Sequence, residues 1–325
     1  MTTRSYPFDS RFRLLVEDQS DWWYLINASG EAGPEVFTKA FEDAAYSKEQ
    51  VRGFLKALKE KPIDELIDLA LRDDSDESPA LIVLQQLKSR DVFDKAIQLC
   101  ASENPKDRVL GVEIMMRQPG LNFKSEAVEK VCNLAELETD AEVLEVLSYA
   151  LCHLNVDHSS QYLQRPATSP VAETRKAAAY SLSQLDDDLA VRLLVDLSAD
   201  ADGDVRNWAT FGLQPMDKER QDRQEIRDAL FARVHDSHDE ARHEALVGLA
   251  QYKDERVIKP LIEALCAESV WELAVEAAEE MGHAELYPHL IKLRAWWDIN
   301  PELLERAIAA CTATGETCSE TNPSL

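Results

Sequence analysis

The amino-acid sequence predicts an all-α protein, a right-handed solenoid of about six stacked helix pairs. Three observations carry this expectation. The stretch Asp200-Ala-Asp-Gly-Asp-Val-Arg-Asn-Trp-Ala-Thr-Phe-Gly-Leu213 recurs as Asp236-Ser-His-Asp-Glu-Ala-Arg-His-Glu-Ala-Leu-Val-Gly-Leu249 and as Ser169-Pro-Val-Ala-Glu-Thr-Arg-Lys-Ala-Ala-Ala-Tyr-Ser-Leu182. A period in the thirties is the mark of a stacked array rather than a closed enzyme domain. From about residue 48 onward, apolar residues fall at i, i+3, i+4 and i+7, as in Val51, Phe54, Leu55 and Leu58, then Ile63, Leu66, Ile67 and Ala70. Only 10 glycines and 13 prolines punctuate 325 residues, and strand-like alternation is absent.

Aligned on the arginine of the Val-Arg motif, the repeats place Arg108, Leu144, Arg175, Arg206, Arg242 and Ala274 in one register. Three residues later stand Gly111, Leu147, Ala178, Ala209, Ala245 and Ala277, and seven later Met115, Leu151, Leu182, Leu213, Leu249 and Met281. The small residue lets two helices approach, and the large one fills the gap between repeats. A leading helix precedes each motif helix, for example Leu189–Leu197, Ile226–Val234 and Arg256–Leu265, and a weaker unit covers about 62–88. Six residues before the motif position stand Asp200 and Asp236, or Ser102 and Ser169, all helix-capping types. In a stack these aspartates can also pair with the arginine of a neighbouring repeat, so Arg175, Asp200, Arg206, Asp236 and Arg242 are assigned to structure.

Three segments follow along the chain. Residues 1–47 do not fit the period and, with their apolar Asp21-Trp-Trp-Tyr-Leu-Ile26, are expected to cap the first repeat. Residues 48–311 form the solenoid, and 312–325 a flexible, small and polar tail.

The formal net charge is −26, of which residues 1–65 contribute only −3. A surface this negative repels phosphate backbones and anionic lipid, which argues against nucleic-acid and membrane partners and favours a basic protein. The six cysteines form no CxxC pair, and most of them read as small core residues. No secretory h-region and no apolar run of membrane-spanning length is visible, so a cytoplasmic location is expected.

Three segments carry a family resemblance: Gly203-Asp-Val-Arg-Asn-Trp-Ala209, Glu240-Ala-Arg-His-Glu-Ala-Leu-Val-Gly-Leu249 and Asp254-Glu-Arg-Val-Ile-Lys-Pro-Leu261. They resemble HEAT repeats of the short bacterial type, called PBS-lyase HEAT-like repeats. Within that class, about 165–295 is similar to bacterial HEAT-repeat proteins encoded beside Rhs-type contact-dependent toxins. Some members of that group act as immunity proteins, so the resemblance implies neutralisation of a toxin domain by binding.

Catalytic readings are less well supported by the residues. The di-iron site of the HEAT-repeat deoxyhypusine hydroxylases uses His-Glu dipeptides in four repeats, whereas this chain has only His243-Glu244, with Lys176-Ala177, Asn207-Trp208 and Val275-Glu276 at the matching positions. His235, Asp236, His238, Asp239 and His243 cluster at one turn but read as a charged surface turn rather than a metal site. Trp208, Trp271, Trp296 and Trp297 invite comparison with HEAT-like DNA glycosylases, yet the acidic charge opposes DNA. No Walker loop, GxSxG elbow or GxGxxG fingerprint is present. No cofactor, metal or catalytic residue is therefore assigned.

The expected function is non-catalytic protein binding. By comparison with the His-Glu positions, residues one, two and five after the motif arginine face the concave side. That face would carry Tyr149, Tyr180, Trp208 and Phe211 in one row with Asn207 and His243, flanked by Glu145, Glu244, Glu276 and Glu279. Exposed aromatics would anchor a basic partner and the carboxylates would select it. On this reading, Trp208→Ala combined with Phe211→Ala weakens a complex without unfolding the array. The rival packing places the same rings between the two helices of each unit. An enzyme subunit or lyase-like accessory protein, and a general assembly scaffold, are the alternative functions.

Overall fold

The structure is a computed structural model, and it describes residues 15–17, 23–25, 56–73, 78–117, 123–215 and 223–313. The cap expected over residues 1–47 and the tail over 312–325 fall almost wholly outside these residues. From the N-terminal segment the structure describes one antiparallel strand pair, β1 (Leu15–Glu17) and β2 (Trp23–Leu25), with Val16 opposite Tyr24. This local pairing was not foreseen in the sequence. Among the described residues every other regular element is helical, and the fold is an all-α solenoid.

The chain divides into two compact units, residues 1–137 and 138–325. In the first, α1 (Ile63–Arg72) packs on α2 (Pro79–Leu87), α3 (Arg90–Cys100) packs on α4 (Pro105–Met116), and α5 (Lys124–Leu137) follows. Ser89 and Asn104 accept the first free N–H groups of α3 and α4. Gly111 shows why the motif asks for a small residue: a Cβ there would lie 2.7 Å from Ala96 O and 2.9 Å from Cys100 N, both backbone atoms that cannot move aside. Gly111→Ala is expected to cost about 1–3 kcal/mol by forcing α3 and α4 apart, even after the helix-propensity gain. Urea unfolding that shows a lower midpoint at unchanged slope would support this, and an unchanged midpoint would refute it.

The second unit alternates two kinds of helix. The second helices of the repeats are α6 (Ala141–His153), α8 (Ala172–Leu182), α10 (Gly203–Gly212), α12 (Asp239–Gln251), α14 (Glu272–Met281) and α16 (Pro301–Ala313). The first helices are α7 (Ser160–Ala167), α9 (Asp188–Leu197), α11 (Gln224–Phe231), α13 (Ile258–Leu265) and α15 (Tyr287–Leu293). Each second helix packs on the next, from α6 through α16, and each from α8 onward also contacts its own first helix. The residues reflect this placement. The first helices are buried along one stripe only, such as Ala190, Val191, Leu194 and Leu197 on α9, whereas α6 and α12 are buried over most of their circumference. Leu182, Leu213 and Leu249, seven residues after the motif position, are each 0 % exposed, as are Ala178, Ala209, Ala245 and Ala277. No described helix is long and apolar enough to cross a membrane.

Polar side chains join successive second helices. Thr174 donates to Ala141 O at 3.0 Å, Ser181 to Ser148 O at 2.8 Å and Gln214 to Glu244 O at 3.1 Å. Each satisfies a group that stacking would otherwise bury unpaired. The last pair, α15 and α16, continues the register: Arg306 lies thirty-two residues after Ala274, and its guanidinium meets Glu279 at 2.7 Å. The sequence register ended one repeat earlier because Ala313, seven residues after Arg306, is not the large apolar residue of the other repeats, although Ala309 keeps the small one.

Candidate functional site

The motif arginines hold the repeats in register. Arg175 grips Asp200 with Nε and Nη2 at 2.7 and 2.8 Å, and Arg206 grips Asp236 in the same way at 2.8 and 2.6 Å. Each is a two-point contact from one repeat to the next, the strongest geometry open to an arginine and a carboxylate. The third arm folds back on its own repeat: Nη1 of Arg175, Arg206 and Arg242 donates to the carbonyls of Ser169, Asp200 and Asp236. Asp200 and Asp236 are not the N-caps themselves. Their carboxylates accept from Asp202 N and His238 N, and it is Asp202 and His238 that cap α10 and α12. Capping needs an acceptor next to the first turn, and the motif aspartates lie two residues too early. In the repeat that has Leu144 instead of arginine, the buried Glu138 takes the aspartate's place, accepting from Thr139 N and Asp140 N, while Arg165 donates to its carbonyl. Arg242 has no aspartate ahead of it and turns to Asp239, so the ladder stops there.

Electrostatics agree with the geometry. Burial pushes the Asp236 carboxyl up, but the Arg206 hydrogen bonds, the His238 N–H and the charges of Arg206 and Arg233 outweigh it and hold the pKa at about 2. At Asp200 burial is likewise outweighed, chiefly by Arg175, and the pKa is lowered.

The aromatic residues of the register form a continuous row across three helices. Tyr149 on α6 meets Tyr180 on α8 with centroids 5.5 Å apart, Tyr180 meets Trp208 on α10 edge-on at 4.9 Å, and Trp208 meets Phe211 at 5.9 Å. Edge-to-face pairs at these distances add to the stability gained by burying the rings. The expectation of exposed anchors is corrected at two positions: Tyr149 is 3 % exposed and Trp208 8 %, because each ring is covered by its neighbours. Tyr180 and Phe211 are half-buried and remain at the surface. Asn207, beside Trp208, is half-buried, and its Oδ1 has no hydrogen-bond partner among the described residues.

The acidic flank also differs from expectation. Glu145 and Glu244 are each 4 % exposed, and Glu244 accepts from Gln214. Glu276 and Glu279 are half-buried, with Glu279 paired to Arg306. His243 is buried, stacked on Trp271 at 4.8 Å and hydrogen-bonded through Nδ1 to Asp239 O; burial holds its pKa below the usual value, so it is neutral at pH 7. The acids at the surface stand instead one turn earlier, two residues before the motif position: Glu142, Asp204, Glu240 and Glu272 are exposed and Glu173 is half-buried. They open five successive second helices, where carboxylates also meet the positive end of the helix dipole. The register that places the aromatics also marks these acids, since each stands two residues before the motif position. Among the described residues no three His, Cys, Asp or Glu groups come together to hold a metal ion. Burial pushes the Cys100 thiol up to about 12 and the Cys152 and Cys311 thiols up to about 11, far from nucleophilic at neutral pH.

Comparison with known proteins agrees with this architecture. The PBS lyase HEAT-like repeat matches residues 241–265, which span α12 and α13. Protein YibA of Escherichia coli strain K12 is 28% identical over 233 residues, covering 70% of this chain and 82% of YibA, and the O157:H7 protein matches equally. The crystal structure of the Escherichia coli protein superposes with a TM-score of 0.69 at 27% identity, over 82% of this chain and 97% of that one. The chain thus carries a PBS lyase HEAT-like repeat within an all-α solenoid, and over most of its length it is similar to YibA.

Proposed function

We propose that this chain is a non-catalytic binding protein whose second-helix layer receives a basic protein partner. The observation that carries the reading is the conjunction of two rows on that layer: half-buried rings at Tyr180 and Phe211, and carboxylates, four exposed and one half-buried, at the openings of five successive helices. Apolar anchors beside a row of carboxylates suit a basic protein, with the rings supplying affinity and the charge supplying on-rate and selection. The repeat architecture supports the same reading, because stacked repeats present extended surfaces.

The likeness of about 165–295 to HEAT-repeat proteins encoded beside Rhs-type toxins gives the proposal its sharper form. The chain would act as an immunity protein that covers the substrate-binding surface of a basic toxin domain. Coexpression with a toxin encoded beside its gene tests this. Rescue of growth by the native chain, lost in the Tyr180→Ala/Phe211→Ala variant, supports it. Toxicity unchanged by the native chain overturns the immunity form.

A further inference from the structure

Two successive second helices carry a three-point face. At i, i+3 and i+7 stand Glu173, Lys176 and Tyr180 on α8, and Asp204, Asn207 and Phe211 on α10. Residues so spaced lie on one side of a helix. Stacking turns these faces into parallel rows that run across the helices. The ring contacts from Tyr149 to Phe211 show that the i+7 positions and Trp208 meet from helix to helix. The acids at the other edge reach solvent: the side chains of Glu173, Asp204 and Glu240 are 46%, 60% and 48% exposed, with Glu173 paired to Lys176 and both Asp204 and Glu240 beside His238, surface contacts that a bound Lys or Arg replaces.

From this spacing we propose that the partner segment is an extended polyproline-II-like strand bearing Lys or Arg at every third position, laid across the second helices with its apolar residues on Tyr180 and Phe211. The inference rests on the binding function proposed above and specifies its ligand. Packed helices lie about 8–10 Å apart, which sets the distance between acid rungs. A polyproline-II strand has three residues per turn at about 3.1 Å each, so every third side chain returns to the same side after about 9 Å. A β-strand returns after two residues, about 6.6 Å, or four, about 13 Å, and misses the rungs. Charge complementarity selects the basic residues, and aromatic side chains are the usual floor for such strands.

Two peptides of equal composition test the proposal by fluorescence anisotropy on the full chain. One repeats Lys-Pro-Pro four times, and the other carries the same four lysines at alternate positions with the remaining prolines following. The first is expected to bind about tenfold tighter, as four matched surface pairs allow, and to weaken as salt rises. The quadruple variant Glu173→Gln, Asp204→Asn, Glu240→Gln, Glu272→Gln is expected to abolish the preference. Neutralising Asp196, Glu225, Glu263 and Glu285, which lie on the first helices and their approach, changes net charge equally and is expected to leave the preference intact. Equal binding of the two peptides, or equal loss in both variants, overturns the spacing. If neither peptide binds but a folded basic protein such as cytochrome c does, in a manner sensitive to the first variant, the strand is wrong and the binding function stands. If nothing basic binds, both fail.

Discussion

Replacing Asp236 with alanine is expected to destabilise the protein by about 3–5 kcal/mol, because it leaves Arg206 charged, desolvated and without its two-point partner. The side chains of Arg206 and Asp236 are only 11% and 3% exposed, so water cannot substitute for the lost contact. The same change removes an ion pair with Arg233 at 3.1 Å and the acceptor for His238 N, which orders the turn entering α12. Arg175 and Asp200 are slightly more exposed, at 16% and 10%, and Asp200→Ala is expected to cost less. The Asp236 contribution also sets a pH window. Its folded pKa, about 2, lies below the ordinary aspartate value of about 3.9. Its stabilisation is therefore complete above that ordinary value and is lost as pH falls through the interval toward the folded pKa. The gap between the urea midpoints of the native chain and Asp236→Ala should be smaller at about pH 3 than at neutral pH, with roughly half of the carboxylate's contribution gone. A gap that stays constant with pH would show that the carboxylate is not the stabilising group.

Trp208→Ala is the second large expectation, about 3–5 kcal/mol of lost stability with the near-ultraviolet signal of the aromatic row collapsed. Trp208 is the central ring of that row, touching Tyr180 on one side and Phe211 on the other, so its removal opens a cavity between α8 and α10. Phe211→Ala, at the half-exposed end, is expected to cost about 1–2 kcal/mol. This separates two roles that the sequence had merged. Combining Trp208→Ala with Phe211→Ala would confound stability with binding, whereas Tyr180→Ala/Phe211→Ala acts on the rings that remain at the surface. Equal unfolding midpoints for Trp208→Ala and Phe211→Ala would contradict the burial of Trp208.

Much of the architecture was legible in the residues, for a definite reason. A repeat writes the same packing problem several times, so the small residue at Ala178, Ala209 and Ala245 and the large one at Leu182, Leu213 and Leu249 signal a helix interface even where one copy is degenerate. The register likewise put Tyr149, Tyr180, Trp208 and Phe211 side by side, and they touch. The terminal pair α15 and α16 was harder to read because an end repeat has a neighbour on one side only and is freer to drift from the pattern.

The sequence by itself determined helical periodicity, repeat length and which positions recur, because these are properties of a chain winding at 3.6 residues per turn. Only the tertiary structure decided which recurring groups are covered. Tyr149, Trp208, Glu145 and Glu244 share their register positions with exposed or half-buried residues elsewhere, yet neighbouring side chains bury them, while Tyr180, Phe211 and the first-turn acids stay at the surface. Periodicity sets the direction in which a side chain leaves its helix, but burial depends on the size and distance of what stands opposite, and that is fixed only when the helices pack.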